Sequence, residues 1–136
     1  MTFPRLTMTM PAQWPVPGLS LTIDPVVPST GEDEVIAAAL AVDLPPGTHL
    51  TPGDHHGGAS IQGWPVRLIQ GRVVDDAGAQ KETRLIALYR MIDWLGVIRL
   101  VATDRAAWEA HRAAVLNAMM SGVLELGPGA GPATGP

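Results

Sequence analysis

The segment from Gly63 to Met120 constrains this chain most, because GWPVRLIQGRVVDDAGAQKETRLIALYRMIDWLGVIRLVATDRAAWEAHRAAVLNAMM contains its own turns, its own helix start and a complete apolar helix face. Trp64 to Val74 reads as a strand, and Asp75, Asp76, Ala77 and Gly78 as the turn that ends it, with Gly78 free to take a positive backbone angle. Lys81 to Ile92 returns, and a tighter turn at Met91 to Trp94 reverses the chain again. From Trp94 to Thr103 the residues are apolar on nearly both faces, which places this strand centrally, covered on two sides. Thr103 or Asp104 then caps a helix whose Trp108, Val115, Leu116, Met119 and Val123 follow helical spacing. Burying the first four of these side chains against the sheet is worth at most about 6–10 kcal/mol.

Upstream, Arg5 to Met10 and Leu19 to Val27 flank PAQWPVPG and predict a hairpin-like pair; Leu19, Leu21 and Ile23 alternate with Ser20, Thr22 and Asp24. Ser29 or Thr30, followed by Glu32, Asp33 and Glu34, predicts a capped helix with an acidic first turn running to about Asp43. Its apolar stripe is Val35, Ile36, Leu40 and Leu44, and Pro45 and Pro46 stop it. Gly47 to Gly63 shifts to Thr, Pro, Gly, His and Asp, without an apolar period, and is expected to be a mobile loop with at most an edge segment at Ala59 to Ile61. Residues 127–136, GPGAGPATGP, carry nothing that packs and are expected to be a disordered tail.

At 136 residues the chain suits one domain, able to bury a core without disulfides or metal. A net charge of -4 with Lys81 as the single lysine argues against a phosphate-binding surface, so nucleic acid is not an expected partner. The absence of cysteine excludes thiol catalysis and thiolate metal sites. MTFPRLTMTMPAQW lacks the apolar run and cleavage site of a signal peptide, so a cytoplasmic location is expected as the chain stands, and the cell envelope if a leader has been removed. The longest apolar stretches, VIAAALAV and WLGVIRLVA, fall well short of the roughly 20 residues that span a bilayer.

Chemistry-bearing residues are sparse. His49, Asp54, His55 and His56 form the one group with the side chains of a divalent-cation site, but adjacent histidines do not readily aim two rings at one ion. Asp75 and Asp76 pair two carboxylates, yet a hairpin tip favours Asp for turn hydrogen bonds. His111 has no nucleophile in a recognisable context, and Gly57 and Gly58 are not followed by the Lys-Ser or Lys-Thr of a phosphate loop. Trp14, Trp64 and Trp94 stand at strand ends or turns, where an indole is often half exposed and available for binding.

Three passages together resemble the PsbP-like superfamily: LTMTMPAQW, with its opening strand and Pro-x-x-Trp turn; SIQGWPVRLIQGRVVDDAG; and VIRLVATDRAAWEAHRAAVLNAMMSG, with its Thr-containing cap and Trp-bearing helix. The resemblance covers about residues 5 to 124 and is nearest to the LpqN-type and DcrB-like Eag chaperone branches. It implies an α+β fold, an α/β/α sandwich around a twisted, mainly antiparallel sheet, in the order strand, strand, helix, loop, three-stranded meander, helix. Residues 1–126 would then form a single domain. The superfamily's branches are mostly not enzymes, so the resemblance implies a binding protein without a cofactor; the chain departs from the lipoprotein branch in lacking its lipobox cysteine.

These readings converge on a non-catalytic bacterial binding protein, an adaptor or secretion-type chaperone holding a protein partner, such as a secreted effector or assembly subunit, on one face of its sheet. Trp64, Tyr89, Met91 and Trp94, with Arg67, Arg90 and Arg99 nearby, are the expected contact residues, since aromatic and arginine side chains carry much interface energy. Homodimerisation through the same sheet is a subsidiary expectation. The alternatives are a small metal- or ligand-dependent enzyme built on His49, Asp54, His55 and His56, and an accessory or immunity subunit of a larger assembly.

Overall fold

A computed structural model describes residues 4–126; the expected tail at 127–136 lies outside the described residues. The elements are β1 (Pro4–Thr7), β2 (Leu19–Ile23), β3 (Val27–Pro28), α1 (Glu32–Leu40), β4 (Thr48–Ala59), β5 (Pro65–Asp75), β6 (Gln80–Met91), β7 (Trp94–Ala102), α2 (Arg105–Met119) and β8 (Val123–Leu126). Six strands form an antiparallel sheet in the order β2-β7-β6-β5-β4, with β3 also pairing with β7, and β1 pairs with β8 in a separate two-stranded sheet.

The meander expected from Gly63 onward forms as β5, β6 and β7. Asp75 Oδ1 accepts the Ala77 and Ala79 N–H groups at the β5–β6 turn, both at 2.9 Å, so this carboxylate builds the turn rather than a reaction centre. Ala79 N–H, the main cause, holds the Asp75 carboxyl below its ordinary value of 3.8, helped by Ala77 N–H and the Lys81 ammonium against a smaller opposing effect of burial. β7 is interior to the sheet, and α2 starts at Asp104, whose side chain accepts the Ala107 N–H.

Alternation along β6 and β7 divides the core. Leu85, Ala87, Tyr89, Ile98 and Leu100 meet Val115 and Met119 of α2 on one face, with Trp108 and Leu116 partly buried against them. Ile86, Leu88, Leu95 and Val97 meet Ala39 and Leu40 of α1 on the other, with Val35 and Ile36 beside them. The helices therefore cover opposite faces of the central strands.

Four expectations are corrected. Residues 48–59 are not a loop but a 12-residue edge strand paired along β5, broken by a bulge between Pro52 and His55. Leu50 is its one large apolar residue, so no alternation marked it; the β5 backbone imposes the extended form. β1 and β2 do not pair with each other: β1 joins β8 and β2 joins β7. Val123 does not continue the α2 stripe but begins β8. Finally, Gly31, at φ 69°, rather than Ser29 or Thr30, occupies the N-cap of α1, and the helix stops at Leu40.

That early stop has a visible cause. Arg84 of β6, 3 % exposed, donates to the carbonyls of Leu40 (2.9 Å), Val42 and Asp43 (3.3 Å), taking up acceptors that the helix end leaves unpaired, while Glu82 balances its charge at 2.9 Å. Arg84→Met strands the Glu82 carboxylate and these carbonyls and is expected to lower unfolding free energy by about 3–5 kcal/mol in urea titration. Arg84→Lys is expected to restore only part of that, because an ammonium lacks the guanidinium fork.

Candidate functional site

Antiparallel order brings several turns to one end of the sheet: the β4–β5 connection (60–64), the β6–β7 turn (92–93), the approach to α1 and the end of α2. Three hydrogen bonds knit this end together. Ser29 N–H donates to Asp93 O at 2.9 Å, Ile61 N–H to Met120 O at 3.2 Å, and Thr9 N–H to Ser121 Oγ at 3.0 Å.

A groove of about 400 Å³ opens here, with Trp64, Trp94, Ile92 and Leu95 supplying its apolar wall and Glu32 and Arg90 its charge. Glu32, in the first turn of α1 where a carboxylate favours the helix dipole, binds two guanidiniums: Arg90 Nε lies 3.0 Å from its Oε1, and Arg67 Nη1 donates to its Oε2. Arg67 Nε in turn donates to His55 Nε2 at 2.9 Å. A polar line thus runs from β4 through β5 and α1 to β6.

Ile92 is 85 % exposed and sits at φ 53°, a conformation that a β-branched residue adopts only at a cost. It is the first of two central residues in the turn, where glycine is the ordinary choice. Ile61, 80 % exposed, and Met10, 41 % exposed, complete the exposed large apolar side chains among the described residues, and all three stand at this end.

Of the expected contact residues, Trp64, Trp94 and Arg90 line the groove, and Arg67 joins it through Glu32. Tyr89 and Met91 do not: they are 0 % and 1 % exposed because their strand positions face α2. Arg99 is also absent: it shares the α1 face but stands further along β7, opposite Ile86, and is held by Asp24, with Nε 2.9 Å from both carboxylate oxygens. Ile61, Ile92 and Glu32 were missed. Ile92 had a sequence signal, an apolar β-branched residue inside a tight turn, where local preference is violated.

The histidine alternative is not assembled. His55 shares the α1 side of the sheet with Ile69, its cross-strand partner, whereas His56, opposite Leu68, and His49, opposite Val74, point to the α2 side at separate heights along β4. Asp54 lies in the bulge. Among the described residues no group of three His, Cys, Asp or Glu side chains has metal-holding geometry. Nor is any described helix long and apolar enough to cross a membrane. No protein-family model matches the chain, and no curated protein matches it.

Tyr89 has a structural task instead. Its hydroxyl donates to Met119 O at 2.7 Å and accepts Gly122 N–H at 2.8 Å. Burial pushes the phenol above its ordinary value of 10.0, partly offset by the Gly122 N–H. A phenol raised in the folded state contributes stability that is complete below the unfolded value and is lost as pH climbs through the folded one. Because Tyr89 is the sole tyrosine, phenolate absorbance reads it directly and should titrate above 10.0 in the native protein, with the protein losing stability across the same alkaline range. Tyr89→Phe should cost about 1–3 kcal/mol, since Met119 O and Gly122 N–H lose their partner, and should abolish that titration.

Proposed function

We propose that this chain is a non-catalytic protein-binding module, an adaptor or secretion-type chaperone with the α/β/α sandwich plan of the PsbP-like superfamily, and that it holds its partner at the end of the sheet described above. The observation that carries the reading is that exposed Ile92 lines a groove walled by Trp64 and Trp94, while the other exposed large apolar side chains among the described residues, Ile61 and Met10, lie at the same end of the sheet in segments tied to Met120 and Ser121 after α2. Clustered apolar exposure marks interaction surfaces, and tryptophan and arginine concentrate binding energy there. The central sheet faces expected to serve this purpose are covered by α1 and α2, which moves the contact to the turns. Helices on both faces also favour the sandwich plan over an open sheet.

Ile92 supplies the sharpest test. Holding an L residue in the left-handed region costs roughly 1–2 kcal/mol, so Ile92→Gly should raise the unfolding midpoint while weakening partner capture. A photo-crosslinking residue at position 92 should trap a discrete partner in the source cell, and the same residue at Ala77, at the opposite end, should not. Trp64→Ala should reduce that crosslink by about tenfold or more, the loss expected of one anchoring aromatic side chain. Equal crosslinking from both ends, or a crosslink untouched by Trp64→Ala in folded protein, would overturn the reading.

A further inference from the structure

We propose that a slot between α1 and the β2–β3 edge binds a short, neutral aliphatic molecule with one hydrogen-bond-donating head, a short-chain primary alcohol being the simplest example, at a place separate from the groove at the end of the sheet. The slot has a volume of about 230 Å³. Its floor is Val97 of β7 and Ala39 of α1, both buried. β2 leaves β7 after Ile23, opposite Ile98, and β3 rejoins it at Val27, opposite Leu95, so four steps on one side face three on the other. The extra residue makes a bulge, and Asp24, whose N–H still reaches Val97 O at 2.9 Å, stands with Val27 as the outer wall.

The opposite wall comes from α1. Ile36 and Leu40 of the helix pack into the sheet, whereas Val35, Ala38, Ala39 and Val42, at the spacing of one helical face, line the slot. Leucine supports a helix nearly as well as alanine, so helix formation does not account for the missing bulk at 38 and 39. An enclosed apolar cavity of about 150 Å³ holds a benzene molecule, and the larger slot therefore has room for a chain of about six carbons with its head.

Charge selects the head group. Asp24 is the one polar side chain in the lining. Both its oxygens accept the same Arg99 Nε at 2.9 Å, which balances its charge and leaves the carboxylate further lone pairs for a donor. A hydroxyl can use them. A carboxylate head would meet Asp24 and an ammonium would meet Arg99 behind it, and either would carry into an aliphatic slot a desolvation cost that a neutral head avoids.

1-Hexanol, hexylammonium and hexanoate, titrated separately into the full chain at neutral pH and followed by side-chain methyl NMR, test this. 1-Hexanol should shift the methyls of Val27, Val35 and Val42, leave those of Ile92 in place and saturate in the millimolar range, while both charged analogues bind about tenfold or more weakly. Shortening the alcohol should loosen binding about fourfold per methylene removed. Ala38→Leu, at an exposed helix position, should keep the unfolding midpoint and weaken 1-hexanol binding about tenfold or more. Asp24→Asn should reverse the order of the heads, with hexanoate bound most tightly, because the Arg99 guanidinium is then unpaired beside the slot. Ile92→Gly should leave 1-hexanol affinity unchanged, which separates the slot from the groove. Slot valines unmoved up to the solubility of 1-hexanol, equal affinity for the three heads, or full affinity in a folded Ala38→Leu protein would overturn the proposal; should either slot variant fail to fold, the comparison of heads on the unaltered chain decides.

Discussion

One strand, β6, anchors a helix end on each face of the sheet. On one face Tyr89 bridges the last turn of α2 to Gly122, just before β8; on the other Arg84 gathers the carbonyls at and beyond the end of α1. Neither helix is long enough to be more than marginal in water alone, at 9 and 15 residues, so their persistence depends on the apolar face each buries and on these fixed ends. Both anchors bury polar groups, which is tolerable only when every one finds a partner. Among the described residues no buried side-chain nitrogen or oxygen lacks one. Close approach of backbone completes the arrangement: a Cβ on Gly122 would stand 2.4 Å from the Tyr89 ring, and one on Gly96 2.9 Å from Leu6 and Met91.

The same physics decides what could be read before folding. β5, β6, β7 and α2 announced themselves because each buries a continuous apolar face, and burial on a face imposes a period on the residues that supply it. β4 buries almost nothing, so THLTPGDHHGGA shows no period; its conformation is borrowed from β5 through backbone bonds that leave no mark on side-chain choice. β8 misled for a related reason, since Val123 lies four residues after Met119 and satisfies the helical stripe that ends there. The pairing of β1 with β8 joins residues more than a hundred positions apart, and nothing local specifies it.

Within the candidate site, aromatic identity was a poor guide without strand phase. Tyr89 and Met91 differ from Arg90 by a single step along β6, and that step sends two side chains into the α2 core and the third into the groove. Trp64 and Trp94, at strand ends, are only half-buried: each packs against the α2-side core and still lines the groove. Arg99 illustrates the converse: a guanidinium on β7 whose carboxylate partner, Asp24, follows directly after β2 and holds it in place across the sheet.

The two ends of the sheet differ in kind. At the far end, the β5–β6 turn is closed by its own Asp75, Lys81 lies 3.5 Å from that carboxylate, Asp104 caps α2, and Thr103 N–H reaches Gly18 O at 2.8 Å. Polar groups there satisfy one another. At the near end the turns instead carry Met10, Ile61 and Ile92 outward, and the β6–β7 turn retains a backbone angle that glycine would take without strain. Folding alone offers no return for that substitution, because Ile92 buries little and strains its own turn. Selection for stability favours glycine or asparagine at this position, so isoleucine there argues for a contact made outside the chain, and the groove beside it shows where such a contact can seat.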